Sequence, residues 1–473
     1  MEYQEEFYHE PHEPTRTTDK ISYINFVMVR DGLWLILFLF IFPFSLAAQY
    51  FTMPPLVSEI NDVPEIVSRA AVLIDASTGA LLYSKNADDE IPPASLTKLM
   101  SMFIIMNEIK EGRASYDELI PITIESWAQS MPPQSSLMFL EPGQNVTLRE
   151  IMLGLSVPSG NDAAVAAALR FAPDIGAFAD LMTLQARRMG LNVTSFVDVS
   201  GYSNMNNTTA EEFAYFCKEY IRLHPESLAD FHSVISFSYP LIDNVSERNR
   251  NNVRTITQES NNRLLLSFPG VDGLKTGFIP DAGYNIALTA ERDNTRFILV
   301  ILGAPSQPGG ARIRLEDGAR LLNWAFDNFK TIRVGDSWQS TLDSGKWKVV
   351  REKGEGRREE GVVSSEQLTR NREQGGELFF RARLWKGRQR FARLKLADTA
   401  DFTSPVDRGE KLFYRIDVSG NLVAPVSVNT VAGFLVISDE YGELHRAPFV
   451  TERAYERGGF IKRIWHSFLL LFR

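Results

Sequence analysis

The chain has 473 residues, 44% hydrophobic and 11% aromatic, which is enough for two or three domains with sizeable cores. A formal charge of −9 excludes a nucleic-acid partner, and a single cysteine, Cys217, excludes a disulfide framework and any cysteine-based metal site. The six histidines form no His-Glu-x-x-His pattern, and no Gly-x-Ser-x-Gly elbow or phosphate- or dinucleotide-binding glycine loop is present, so neither metal nor cofactor is expected.

Residues 1–48 read as a leader. Leu33–Phe42 is an unbroken apolar run, followed by Pro43 and the small residues Ser45, Ala47 and Ala48. That is a signal-peptide core with cleavage after Ala47 or Ala48. The preceding residues are acidic where a signal needs a short positive start. Met28-Val29-Arg30 supplies one, so Met28 is the expected start of translation. An uncleaved anchor is the alternative, although a spanning helix takes about 20 residues.

Pro92-Pro93 cannot continue a helix, Leu96–Ile109 is apolar almost all round, and Gly112 offers a stop, so a buried helix is expected with Ser95 in its first turn. Thr147-Leu148-Arg149-Glu150 predicts a capping box. Ser159-Gly160-Asn161 then forms a loop before an alanine-rich helix over Asp162–Phe171. Cys217 is expected as a buried thiol in a helix over Glu211–Leu223. Lys275-Thr276-Gly277 precedes two paired strands, Tyr284–Ala290 and Phe297–Leu302, joined by a turn at Asp293-Asn294.

Beyond residue 330 the pattern changes to short strands: Trp347–Val350, Glu377–Leu384, Phe391–Leu396, Lys411–Ile416 and Gly433–Ile437. Lys353–Gln374, charged and glycine-containing, reads as a solvated loop. In Phe460–Arg473, Ile461, Ile464, Trp465, Phe468 and Leu469 interleave with Lys462, Arg463 and His466, followed by Leu470-Leu471-Phe472. This is an amphipathic helix suited to a membrane interface, the alternative being a terminal helix docked on the preceding domain.

Three motifs carry the chemistry: Ser95-Leu96-Thr97-Lys98, Ser159-Gly160-Asn161 and Lys275-Thr276-Gly277. Each alone is commonplace, as a surface pattern, a turn or a strand end. In this order they supply what a Ser/Lys acyl-transferase needs. A serine hydroxyl requires a base within hydrogen-bond reach, and residues i and i+3 share a helix face. An ordinary lysine, with a pKa of about 10.4, is a useless base near neutrality. Burial of Lys98 and the nearby cation Lys275 would both favour its neutral amine. Backbone N–H groups at the helix start would face a developing oxyanion.

On these motifs the sequence resembles the low-molecular-weight penicillin-binding proteins, the D-alanyl-D-alanine carboxypeptidases of the cell wall. Ala71-Val72-Leu73-Ile74-Asp75, Ser135-Ser136-Leu137-Met138, Val271-Asp272-Gly273-Leu274 and Ala282-Gly283-Tyr284-Asn285 are similar to further family blocks. The resemblance implies an α+β penicilloyl-serine-transferase sandwich, β-lactamase-like, with helices around an antiparallel sheet over residues 66–330. It also implies a small β-sandwich spacer at 331–456 and a membrane-surface anchor at 457–473. Ser95 would be the nucleophile, Lys98 its base and Ser159 a proton relay to the leaving D-alanine. Asn161 would hold the substrate backbone and Lys98, Lys275 would add positive potential, and Thr276, next to Gly277, would bind the terminal carboxylate. The N–H groups of Ser95 and Phe278 would form the oxyanion hole. Arg314, with Arg312 close behind, would assist at the carboxylate. Phe278 stands where some relatives carry histidine. The implied partners are peptidoglycan stem peptides, β-lactams and the membrane surface.

Two rival readings remain at this level. A class A β-lactamase would need a glutamate-bearing Glu-x-x-x-Asn element, which Phe196–Gly201 does not supply. A non-enzymatic wall-binding scaffold would not need Ser95, Lys98, Ser159, Asn161 and Lys275 intact.

Overall fold

The computed structural model describes residues 62–332, 348–353, 357–362, 368–371, 377–397, 401–407, 412–418 and 421–471. The expected leader, with Leu33–Phe42 and the Met28 start, lies outside the described residues, as do Trp347, Lys411 and Phe472.

Five antiparallel strands build the first sheet: β1 (Ala70–Asp75), β2 (Leu81–Lys85), β3 (Val271–Ile279), β4 (Gly283–Arg292) and β5 (Thr295–Ala304), in the order β2-β1-β5-β4-β3. Because side chains alternate along a strand, β5 feeds two cores. Ile298, Val300 and Leu302 join one cluster, whereas Phe297, Leu299 and Ile301 join another on the opposite face. Both faces are therefore covered, which explains why β5 reads as a continuous apolar run instead of an alternating one. Asp293 and Asn294 adopt φ of 50° and 62°, the geometry of a tight hairpin turn between β4 and β5.

The first core is filled by helices. Helix α1 (Thr97–Lys110) is buried from Thr97 to Met106, as its all-round apolar sequence requires, and Gly112 ends it at φ 74°. Helix α2 (Leu148–Ser156) opens with the predicted capping box: Thr147 Oγ1 accepts from Glu150 N at 3.2 Å, and Glu150 Oε2 accepts from Thr147 N at 2.8 Å. Helix α3 (Asn161–Phe171) follows, and α4 (Ala210–Leu223) buries Cys217, whose thiol pKa is raised by burial. The second core is closed by α5 (Gly310–Asn328) through Leu321, Leu322 and Trp324.

The β-rich region contains Lys348–Lys353 (β6), Arg357–Val362 (β7), Leu368–Asn371 (β8), Glu377–Trp385 (β9), Phe391–Leu396 (β10), Phe413–Val418 (β11), Val431–Asp439 (β12) and Gly442–Thr451 (β13). With the short strand Leu422–Val423 on β9, they form a nine-stranded sheet in the order β7-β6-β11-β12-β13-β10-β9-β8. Residues of β9, β10, β11, β12 and β13 share one core around Phe380, Leu394, Tyr414, Leu435 and Phe449. The expected solvated loop Lys353–Gln374 instead contributes β7 and β8, the two edges of that sheet. Edge strands tolerate the charge density that suggested a loop, because only their backbones need pair.

The two regions are joined beyond the covalent connection. Phe329–Ile332 pairs antiparallel with Phe402–Pro405. Buried Asp75, which accepts from Ser77 Oγ and Thr78 N, is also bonded by Thr403 Oγ1. Helix α6 (Phe460–Leu471) docks by one side only: His466 Nδ1 accepts from Lys386 N at 2.8 Å and its ring meets the Trp385 ring edge-on. Phe460, Ile461, Ile464, Trp465 and Phe468 remain exposed. Docking and an outward apolar face thus coexist, where the sequence posed them as alternatives. Among the described residues no helix is long and apolar enough to cross a membrane.

Candidate active site

Ser95 sits on a single 3-10 turn, Ala94–Leu96, that feeds directly into α1; the expected helix therefore begins two residues after the nucleophile candidate. Ala94 has φ 51°, and Ser159 of the second motif has φ 61°, a region L-residues rarely adopt. Such strain concentrates where a side chain must be aimed rather than merely packed.

Lys98 is fully buried one turn below Ser95. Its Nζ lies 3.0 Å from Ser95 Oγ, 2.8 Å from Asn161 Oδ1 and 2.6 Å from the Ser200 carbonyl. Burial is the largest cause that brings its pKa down to about 7, opposed by the charges of Asp198 and Asp162. An amine of that kind has two N–H groups and one lone pair. The two carbonyl oxygens can accept only, so they take the N–H groups and leave the lone pair for the Ser95 hydroxyl proton. The arrangement selects the tautomer in which Ser95 donates to Lys98.

The Ser200 carbonyl is held by its own loop. Asp198 Oδ1 accepts from the N–H groups of Ser200 and Gly201, both at 2.7 Å, and Asp198 Oδ2 accepts from Ser203 N at 2.8 Å. Gly201, at φ 78°, packs so closely that a β-carbon would sit 1.8 Å from the Ala94 carbonyl oxygen. Asp162 does the same for the opposite wall, accepting from the N–H groups of Met138, Phe139 and Leu140 at 2.8–2.9 Å. Asn161 Nδ2 donates to Ser135 Oγ at 3.1 Å, which orients its Oδ1 toward Lys98.

Lys275 and Thr276 lie on β3 and are buried. The Lys275 pKa is driven well below the ordinary lysine value by burial first, then by Lys98 and Arg314. The repulsion expected at Lys98 is thus felt at Lys275, and the cluster holds more positive charge than it can keep ionised alone. His232 supports this strand: its Nδ1 is 3.2 Å from the Leu274 carbonyl and its Nε2 is 2.8 Å from Tyr220 Oη. Burial lowers its pKa to about 3, so it stays neutral. Ser159 Oγ is buried without a hydrogen-bond partner among the described residues. An unpaired buried hydroxyl is costly unless a ligand completes it.

The sequence left Arg314 and Arg312 as alternatives, and they are placed very differently. Arg314 is buried and donates to the carbonyls of Gly277 and Asn285, both at 3.1 Å. Arg312 is a surface residue facing Glu316 at 3.5 Å, with its side chain 77% exposed. Phe278, beside Gly277, stacks on Tyr284 at 4.2 Å between ring centres, and Arg314 lies over the same Tyr284 ring. An open cleft of about 520 Å³ leads to the cluster, lined by Ser95, Asn161, Tyr202, Phe278 and Asp281 among others. No group of acidic, histidine or cysteine side chains among the described residues could hold a metal.

Ser95, Lys98 and Asn161 are thus joined by hydrogen bonds, and Gly277 lies against the Ser95 backbone. Sequence reasoning missed the Ser200 carbonyl, Asp198 and Gly201. A backbone acceptor has no residue-type signature, and only Ser200-Gly201 as a turn pair hinted at tight local geometry.

Fold and site together define a penicilloyl-serine-transferase: an antiparallel sheet between helical layers, with a Ser/Lys pair at the start of the central helix. The sequence family described as D-alanyl-D-alanine carboxypeptidase, peptidase S11, matches residues 58–306. The chain belongs to that family. It is 28% identical over 444 residues to the D-alanyl-D-alanine carboxypeptidase DacC of Escherichia coli K12, covering 92% of this chain and 94% of that one. It is 32% identical over 287 residues to the E. coli K12 D-alanyl-D-alanine carboxypeptidase DacA, covering 59% and 67%. Penicillin binding protein 5 from Haemophilus influenzae superimposes with a TM-score of 0.65 at 25% identity, covering 84% of this chain and 99% of that one. Penicillin binding protein 6B from E. coli gives 0.58 at 25% identity, covering 85% and 99%.

Proposed function

We propose that this chain is a serine D-alanyl-D-alanine carboxypeptidase that trims the terminal D-alanine from peptidoglycan stem pentapeptides through an ester on Ser95. The observation that carries the reading is the neutral-prone Lys98 amine beside Ser95 Oγ in a buried, cation-rich pocket. The substrate's C-terminal carboxylate enters toward Lys275, Thr276 and Arg314 and supplies the negative charge that the cluster lacks. Lys98 takes the Ser95 proton as Oγ attacks the carbonyl of the penultimate D-alanine. The Ser95 and Phe278 N–H groups receive the oxyanion. Ser159, otherwise unpaired, passes a proton to the leaving amine, the C–N bond breaks, and D-alanine departs. Water then hydrolyses the ester, with Lys98 again as base. Gly277 lets β3 approach Ser95 closely: a β-carbon there would lie 3.0 Å from Ser95 N.

β-Lactams, which mimic the D-Ala-D-Ala dipeptide, are expected to acylate Ser95. That the superimposable structures are of penicillin-binding proteins supports this. The β-rich region, residues 331–456, is proposed as a spacer, with 457–473 lying on the outer face of the cytoplasmic membrane after export directed by the leader. Release of D-alanine from a peptide ending in D-Ala-D-Ala is the direct assay. Turnover confined to β-lactams would instead favour the lactamase reading, and no turnover of either would favour a scaffold.

A further inference from the structure

We propose that His232 is a positioning residue for the Lys-Thr-Gly strand: held in its Nδ1–H tautomer by Tyr220, it fixes the Leu274 carbonyl and through it the placement of Lys275. The inference rests on the carboxypeptidase reading above, in which Lys275 meets the substrate's terminal carboxylate.

Lys275 is not placed by its own head group. Its side chain is buried, and among the described residues its Nζ makes one hydrogen bond, to the carbonyl of its neighbour Thr276 at 3.2 Å. Its position therefore follows from the backbone that carries it. β3 is an edge strand of the five-stranded sheet, and an edge leaves one row of N–H and C=O groups without a strand partner. Two side chains from outside the sheet take the carbonyls just before Lys275. Asn262 Nδ2 donates to the Gly273 carbonyl and His232 Nδ1 to the Leu274 carbonyl, both at 3.2 Å.

The bonds around the His232 ring select one tautomer. A carbonyl oxygen only accepts, so Nδ1 carries the proton toward Leu274. Burial keeps the ring neutral, which leaves a lone pair on Nε2. Tyr220 Oη, 2.8 Å away, donates to that lone pair. Tyr220 is fully buried on α4, and burial raises its hydroxyl pKa, so it keeps the proton it donates. The turn Leu228–His232 that carries the ring is tied to the end of α2, where Ser156 Oγ donates to the Phe231 carbonyl at 2.9 Å. A directed chain thus runs from the Tyr220 hydroxyl through the imidazole to the peptide group that precedes Lys275.

The test compares two peptides ending in D-Ala-D-Ala, one with a free terminal carboxylate and the other its C-terminal amide, which gives Lys275 no anion to meet. Wild-type protein should show the higher kcat/KM for the free acid. His232→Leu should reduce that preference by about tenfold or more, as a misplaced binding group does. His232→Asn, whose Nδ2 can replace the Nδ1 donor, should keep the preference within about threefold of wild type. An equal loss in both variants would overturn the inference, as would a fall in kcat/KM for both peptides with their ratio intact, the mark of a merely structural role. Where His232→Leu does not fold, Tyr220→Phe serves in its place. It removes the donor to Nε2, so part of the ring should pass to the Nε2–H tautomer while the acid preference falls; an unchanged preference despite that shift would overturn the inference. Nitrogen NMR of the wild-type histidine rings, with His232 assigned by its absence in His232→Asn, should show Nδ1 protonated and Nε2 bare, and the opposite pattern would overturn it too. That reading needs no substrate. It therefore tests the His232 bonding separately from the carboxypeptidase reading, which fails if the wild type releases no D-alanine from the free acid.

Discussion

The Ser200 carbonyl oxygen stands 2.6 Å from Lys98 Nζ, closer than Ser95 Oγ at 3.0 Å. A lysine with three acceptors around it could rest as a fully satisfied ammonium. Burial tips the balance, and the two acceptor-only carbonyls then turn the lone pair to Ser95. The base is therefore prepared by a loop 102 residues away in sequence from the lysine it serves.

Replacing Lys98 with Ala should reduce Ser95 acylation by about 10²–10⁴-fold, the usual worth of a general base. His232 cannot substitute, being neutral but committed to Leu274 and Tyr220. Stopped-flow acylation by a fluorescent penicillin reads the rate. Acylation at the wild-type rate would exclude the Ser/Lys mechanism.

The pH dependence follows from the same amine. Only neutral Lys98 can accept the Ser95 proton, so acylation is suppressed below its pKa and rises as pH passes about 7. The acylation rate measured from pH 5 to 9 should show that ascending limb. A limb near the ordinary lysine value would mean that Lys98 is not desolvated as described.

Gly201→Ala places a β-carbon 1.8 Å from the Ala94 carbonyl at a φ of 78°. The backbone cost alone is about 1–2 kcal/mol. Relief of the overlap must move the Ala94–Leu96 turn and with it Ser95. Lower thermal stability together with a loss of acylation beyond tenfold is expected, the latter in the fraction that remains folded. A stable variant with normal acylation would contradict the close packing.

The apolar face of α6 predicts membrane association. Burial of each large apolar side chain contributes roughly 1.5–3 kcal/mol, so Phe460, Ile461, Ile464, Trp465 and Phe468 together can hold the chain on a bilayer. Cell fractionation should find the leader-processed enzyme with the membrane and a form truncated before Phe460 in the soluble fraction, still active. A truncated form that stays membrane-bound would place the anchor in an uncleaved Leu33–Phe42 segment.

Much of this was legible in the sequence, and for physical reasons. Helix α1 shows itself by being apolar on every side, the α2 capping box by Thr147 and Glu150, and the β4–β5 hairpin by Asp293-Asn294. These are local signals, where residue type dictates backbone. The motif residues were legible because the chemistry demands particular side chains. What could not be read was carried by backbone or by distance: the Ser200 carbonyl, the Asp198 turn that aims it, and the choice of Arg314 over Arg312, which depends on the register of α5. The edge strands β7 and β8 were hidden because charged residues at a sheet edge look like a solvated loop.

Mapping the covalent adduct tests the central claim most directly. Purified protein incubated with a penicillin, then digested and analysed by mass spectrometry, should carry one acyl group per chain, on the peptide containing Ser95. Ser95→Ala should carry none and release no D-alanine from a D-Ala-D-Ala peptide. An adduct on another residue, or undiminished labelling and D-alanine release by Ser95→Ala, would contradict the assignment of Ser95 as the nucleophile.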